Sequence, residues 1–334
     1  MEDTKNIGFT VAFSCMRNKI AENTYKYACV CFKEFDIIKV EYYFKEENFM
    51  KYVEFFGHKV SKLIIGDNPF NGHSYITDFI PGKEMRDYYT EDKILGEIYK
   101  MEELGINTML PLADPYIIRI LEHYRKNGGK MNFIFQTYAP MMTSLESAEI
   151  TIRQMLEVDP IGIYLSGTYT DVRYETGRCD EIKAMLNKLK ESGLPTGFGS
   201  HHPDLIKLCD KEAWGADFYM ACMYNLRRQR EGQESGFITG KSKGDVVIVP
   251  GDRAIMLEAL QGIEKPIIAF KIFAGGQMLV NKSEEERRRL IKGVYSDIFS
   301  SLKPNDFAVA GIYGKNHDQL TENVSVFNEW EALL

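Results

Sequence analysis

The 334-residue sequence has no apolar run long enough to cross a bilayer, and its start shows no charged segment leading into an apolar stretch and a cleavage site. A membrane span and a secretory leader are both unexpected, so the expected location is cytoplasmic. There are six cysteines, at 15, 29, 31, 179, 209 and 222, but no paired C-x-x-C spacing. Neither a zinc nor an iron–sulfur site is indicated, and reduced, mostly buried thiols are expected. The absence of H-x-H and H-E-x-x-H spacings argues in the same direction, and no metal is expected. No block of like charge is long enough to mark a nucleic-acid or membrane surface; Arg287-Arg288-Arg289 follows Glu284-Glu285-Glu286 and reads as a solvated helix face in a chain of net charge -7. Small, soluble partners remain, and the oligomeric state is not encoded.

What is present is an alternation. Short apolar runs recur at 63–66, 106–110, 131–135, 161–165, 194–198, 218–222, 267–271 and 307–312, each followed by a helix-length amphipathic stretch. Such runs are too short for helices and too continuously apolar for half-exposed antiparallel strands, so both faces are expected to be buried. Eight β/α units predict an α/β fold, the (β/α)8 TIM barrel, over residues 50–334, with function in the loops that follow the strands. An open doubly wound sheet is disfavoured because no glycine-rich dinucleotide turn follows the first run.

Residues 1–49 carry three of the six cysteines and show no clean helical or strand period. They are expected to be an N-terminal extension or an upstream mis-start, with Met50 the alternative start and a short hairpin after it closing the barrel bottom.

The strand ends supply the candidate chemistry. Asp67 and His73 flank the turn-rich loop after the first run; Asp67 and Asn68 could equally cap the turn before Pro69. Asp114 suits an N-cap with Pro115 behind it, which leaves Tyr116 either as a buried aromatic or as a proton donor at the mouth. The loop after the fifth run holds Ser200, His201 and His202, with His201 expected to touch substrate or cofactor. Lys271 ends the seventh run, where a lysine is costly unless used: it could form a Schiff base, hold a phosphate or carboxylate, or snorkel to the rim. Gly275-Gly276 and the loop carrying Lys315 favour a phosphorylated ligand, because loops seven and eight are the usual phosphate site of this architecture. The long polar segment Leu226–Gly251, with Arg227, Arg228, Arg230, Lys241 and Lys243, suggests either a cationic lid or a plain insertion.

Several of these segments together resemble the aldo-keto reductase superfamily. The likeness rests on Val60–Gly66, Leu104–Thr108, Tyr224-Asn225-Leu226, Ile268–Gly276 and Asp318–Val324. It implies an eight-stranded barrel using NADP or NAD. Phe270 would take the place of the aromatic stacked on nicotinamide and Lys271 that of a serine beside the pyrophosphate. Gln319, Glu322 and Asn323 would lie at the adenosine end, with Ser200 and His201 at the nicotinamide amide and Tyr224-Asn225 ending strand six. Of the family's catalytic tetrad only a tyrosine candidate, Tyr116, survives: Leu110 or Pro111, Gln136 or Thr137, and Ser166 or Gly167 stand where the aspartate, lysine and histidine belong. The chain is therefore expected to be a divergent, NAD(P)-linked oxidoreductase-like enzyme acting on a small carbonyl or hydroxy compound, with Tyr116, Asp67, His73 and His201 as catalytic candidates. The alternatives are a Schiff-base lyase or aldolase using Lys271, and a barrel that binds a phosphorylated ligand without catalysis.

Overall fold

The continuous apolar character of the short runs is what drives them into a two-sided, fully covered sheet. A computed structural model describes residues 50–227 and 247–334, together with three strands nearer the N-terminus, Phe13–Ala21 (β1), Thr24–Lys33 (β2) and Asp36–Lys45 (β3). These three pair antiparallel in the order β1-β2-β3. The sequence there shows no clean alternation, yet Val30, Phe32, Ile37, Ile38, Val40, Tyr42, Tyr43 and Phe44 are β-branched or aromatic residues that favour extended backbone. This stretch belongs to a unit spanning Met1–Phe49, and Met50–Leu334 form a second unit.

The second unit begins with the hairpin Tyr52–Phe55 (β4) and His58–Ser61 (β5). The barrel strands follow: Leu63–Gly66 (β6), Thr108–Leu110 (β7), Asn132–Gln136 (β8), Gly162–Leu165 (β9), Thr196–Ser200 (β10), Phe218–Cys222 (β11), Ile267–Phe270 (β12) and Phe307–Ala310 (β13). They close in sequence order, all parallel, with β13 pairing β6. The predicted (β/α)8 barrel is thus the observed fold, with run boundaries shifted by a residue or two where a polar residue such as Gln136 or Ser200 still pairs in the sheet.

Two apolar layers hold it together. Inside the barrel, Ile64, Ile134, Met220, Ile268 and Phe307 pack on one another, while the outward-facing residues of the same strands pack on the helices. The β4–β5 hairpin plugs the N-terminal end: Phe55, 1% exposed, meets Phe218 and Phe307 edge to face at 5.2 and 5.4 Å. With that end stoppered by aromatic side chains, only the opposite end can be concave.

At that opposite end the strands hand over to helices, at the ends of β7 and β9 through a short polar cap. The helices are Gly82–Tyr88 (α1), Glu91–Glu103 (α2), Pro115–Lys126 (α3), Leu145–Leu156 (α4), Gly167–Glu175 (α5), Cys179–Lys190 (α6), Pro203–Lys211 (α7), Asp252–Ala259 (α8), Glu284–Ser301 (α9) and Gln319–Glu331 (α10). Asp114 caps α3 by accepting from Tyr116 N, as the sequence suggests, and Ser166 caps α5 by accepting from Tyr169 N. These caps fix where the strand-end side chains point. Of the long polar segment, Arg228, Arg230, Lys241 and Lys243 lie outside the described residues. Among the described residues no helix is long and apolar enough to cross a membrane.

Candidate functional site

The strand ends enclose a cavity of about 750 Å3. Its deep part lies over the barrel axis and is lined by Asp67, Asn68, Tyr75, Gln136, Tyr164, His201 and Lys271; a second part extends past Phe270, Ile272 and Gly311 to Arg287, Gln319, Glu322 and Asn323. Such a size is ordinary for a cofactor or substrate site.

Lys271 forms the pivot between the two parts. It follows β12 directly, in left-handed backbone (φ +55), and so turns its side chain back over the barrel instead of continuing along the strand. Its Nζ lies 3.3 Å from His201 Nε2, and 4.5 and 4.8 Å from the ring centres of Phe270 and Tyr75. Burial works against its charge, but the Tyr75 hydroxyl, the Cys222 sulphur and the Asp171 carboxylate outweigh it and hold its pKa above the ordinary lysine value. His201 is itself held above the ordinary histidine value: burial works against its charge, but the Cys222 sulphur and the Asp171 carboxylate outweigh burial and the nearby ammonium. Its other ring nitrogen, Nδ1, faces the other way.

That other way leads to Asp171. Its Oδ2 lies 2.6 Å from His201 Nδ1, while Oδ1 accepts from the Ser200 hydroxyl at 2.7 Å and from His201 N at 3.2 Å. Asp171 is fully buried on α5, so its charge is compensated by these donors and by the cation beyond them. The imidazole fits because residue 167 is glycine: a Cβ there would lie 3.0 Å from His201 Cε1. Cys222, at the end of β11, is also fully buried; burial pushes its thiol up, but His201 and Lys271 outweigh this and hold it below the ordinary cysteine value. The result is a chain of groups running Asp171, His201, Lys271, Tyr75, with Cys222 beside its middle.

Across the mouth, Asp67 leaves β6 and is 4% exposed. Its Oδ2 accepts from Leu112 N at 2.7 Å and from Asn71 Nδ2 at 2.9 Å. Burial pushes its pKa up to about 7, against the lowering effect of those hydrogen bonds. The carboxyl therefore changes charge close to neutral pH. His73 stands exposed on the rim, its pKa held below the usual value by the enclosure around its ring; Asp114 opposes that shift, while Lys271 and Arg86 add to it. Tyr164 donates to Gln136 Oε1 at 2.7 Å, so the residue ending β8 is joined to its neighbour on β9 in a neutral pair with no charge to lend.

The structure brings Asp67, His73, His201, Phe270, Lys271, Gly275, Gly276, Gln319, Glu322 and Asn323 to the cavity and leaves other expected residues out of its lining. Tyr116 is 47% exposed on the first turn of α3, and burial of part of its ring together with Glu91 moves its pKa up, away from that of a useful acid. Ser200 is consumed by Asp171. Tyr224 is buried, and Asn225 donates its amide to Asp252. Lys315 pairs with Glu84 at 2.8 Å, away from the main cavity. Gly275 does not offer bare backbone to an anion, because the Tyr75 ring occupies the space where its Cβ would be, at 2.6 Å. At the far end Arg287 clasps Glu322 with contacts of 3.0 to 3.2 Å, and His317 lies 3.3 Å from the same carboxylate.

Three residues of the site carry no mark in the sequence, Tyr75, Tyr164 and Asp171, and a fourth, Arg287, expected on a solvated helix face, instead lines the cavity and pairs with Glu322. Asp171 sits mid-helix with no motif around it, and Tyr75 lies nine residues beyond the end of β6, outside the strand-end positions. Cys222 does end an apolar run, but a buried thiol is the ordinary reading there.

No family model and no curated relative matches this sequence. Among solved structures, an aldo-keto reductase from Bacillus halodurans in its holo form is similar over 84% of this chain and 91% of its own, at 14% identity and a TM-score of 0.52. Gox0644 in its apo form is similar over 84% and 89%, at 10% identity and a TM-score of 0.51. At such identities the likeness is one of fold.

Proposed function

We propose that this barrel is a divergent relative of the aldo-keto reductases that binds a nicotinamide dinucleotide, NADP or NAD, and acts as an oxidoreductase on a small carbonyl or hydroxy compound. One observation carries the reading: a single cavity joins a polar, charge-bearing centre over the barrel axis to a second compartment at the ends of β12 and β13 and the start of α10. The residues of that compartment suit a dinucleotide. Phe270, Ile272 and Phe273 give it an apolar wall, Gly311 has open space in front of its Cα, and Lys282 supplies a cation beside the Arg287–Glu322 pair. The fold of an aldo-keto reductase solved with its ligand supports the same choice.

When bound, the nicotinamide would supply or accept the hydride. The chain's own groups do the rest. Lys271 holds a positive charge where a carbonyl oxygen would gain negative charge, and His201, fixed by Asp171, keeps that ammonium aimed. Asp67, titrating near pH 7, can exchange a proton with substrate or solvent. Lys271 thereby serves the reacting centre and not the pyrophosphate. The imine reading of Lys271 needs a neutral amine, and a lysine held charged by its neighbours does not favour it.

Titrating NADH and NADPH against the protein while following reduced-nicotinamide fluorescence tests the proposal. Saturable binding in the micromolar range is expected for one of them; no binding at millimolar cofactor would reject it. Incorporation of borohydride-reduced carbonyl ligand at Lys271 would instead point to the lyase.

A further inference from the structure

Tyr75 is held from every side. Its carbonyl accepts from Gln277 Nε2 at 3.1 Å, its ring packs over Gly275, and its hydroxyl oxygen accepts from Asn68 Nδ2 at 3.3 Å and interacts with the Lys271 ammonium. Gly275 can accept this packing because it has no side chain and sits at φ +62. One N–H donor thus reaches the phenolic oxygen, and the Lys271 ammonium lies over the ring at 4.8 Å from its centre. A phenol has two lone pairs and one proton, so an oxygen that accepts from Asn68 still has its O–H to give away. The residue lines the cavity beside Lys271.

We propose that Tyr75, and not Tyr116, is the group that donates a hydrogen bond, and then a proton, to the reacting oxygen of the substrate. The hydrogen-bonding part stands on the geometry alone; the chemical step rests on the oxidoreductase reading. In reduction the carbonyl carbon takes a hydride from the reduced nicotinamide, the C=O π pair moves to oxygen, and that oxygen takes the Tyr75 proton as the phenolic O–H bond breaks. The carbonyl becomes an alcohol, and the phenolate left behind keeps the Asn68 donor with the Lys271 ammonium close by. It regains its proton from water after product leaves. Preorganised donors around the oxygen that gains charge lower the barrier, and here they also hold the tyrosine in place.

The test uses 4-(dimethylamino)cinnamaldehyde, a conjugated aldehyde whose absorption band moves to the red when its oxygen accepts a strong hydrogen bond. Bound to the intact protein without cofactor, it should show a red-shifted band. Tyr75→Phe, which keeps the ring and its packing on Gly275, should lose the shift and bind the aldehyde about tenfold more weakly. Tyr116→Phe should retain both. Lys271→Met should reduce the shift while leaving part of it. An unshifted band in the wild-type protein, or the same shift in Tyr75→Phe, would overturn the proposal, as would a full shift in Lys271→Met. If neither NADH nor NADPH binds but the shift depends on Tyr75, the hydrogen-bond donor stands, while the proton transfer falls with the oxidoreductase reading.

Discussion

The two sides of the barrel mouth are built from the same kinds of strand and differ in what ends them. On the arc from β10 through β13 to β6, the loops present His201, Cys222, Lys271 and Tyr75, linked to one another or to Asp171, together with Asp67, which is held by Leu112 N and Asn71. On the arc formed by β7, β8 and β9, they present Leu110, Gln136 and Tyr164, of which the last two satisfy each other. A barrel strand end is a position where chemistry can be placed, and this chain has placed most of it on one arc, with Asp171 reaching it from α5 after β9. Uncharged strand ends on the β7–β9 arc therefore do not leave the cavity without charge.

That contrast can be broken most severely through Asp67. Its pKa stands at about 7 in place of 3.8. Because the folded value is raised, the folded chain holds a proton that the unfolded chain has released, so this carboxyl lowers stability progressively as pH rises from about 4 to about 7 and by a constant amount above. The full effect is about 4 kcal/mol. Urea unfolding of wild type and Asp67→Asn at pH near 4 and near 8 should show the wild type losing more stability on going up; equal losses would mean that Asp67 ionises freely and is no neutral-range acid.

Removing the anchor of the charged arc comes next. Asp171→Ala leaves the Ser200 hydroxyl and His201 Nδ1–H buried without their acceptor, at a cost of about 3 kcal/mol in denaturant unfolding. A change within about 0.5 kcal/mol would show that His201 does not depend on it. Gly275→Ala places a methyl against the Tyr75 Cβ in backbone that disfavours side chains, and should cost about 2 kcal/mol while reducing the red shift of the bound aldehyde. The smallest effect belongs to the other arc: Tyr116→Phe should alter stability by no more than about 0.5 kcal/mol, since its side chain is 47% exposed. A large loss of function there would return the acid to α3.

The barrel was legible because its signal is periodic. Eight short runs with both faces apolar admit few other solutions, and every one became a strand. Strand-end residues such as Asp67, His201 and Lys271 were legible for the same reason, since position along a run is readable without tertiary contacts. Tyr75 and Asp171 were not. Each reaches the site only because two loops fold across one another or because a helix turns one residue inward, and neither event leaves a local mark. Tyr116 shows the converse: a tyrosine in the right place along the chain, whose helix start points it to solvent.

The direct measurement of where the chemistry sits is a crystal structure of the protein with NADP or NAD and a small ketone. The account predicts the ketone oxygen within about 3 Å of Tyr75 Oη, close to Lys271 Nζ, with the nicotinamide ring against Phe270. A ketone oxygen bound instead at Gln136 or beside Tyr116, away from Lys271, would contradict it.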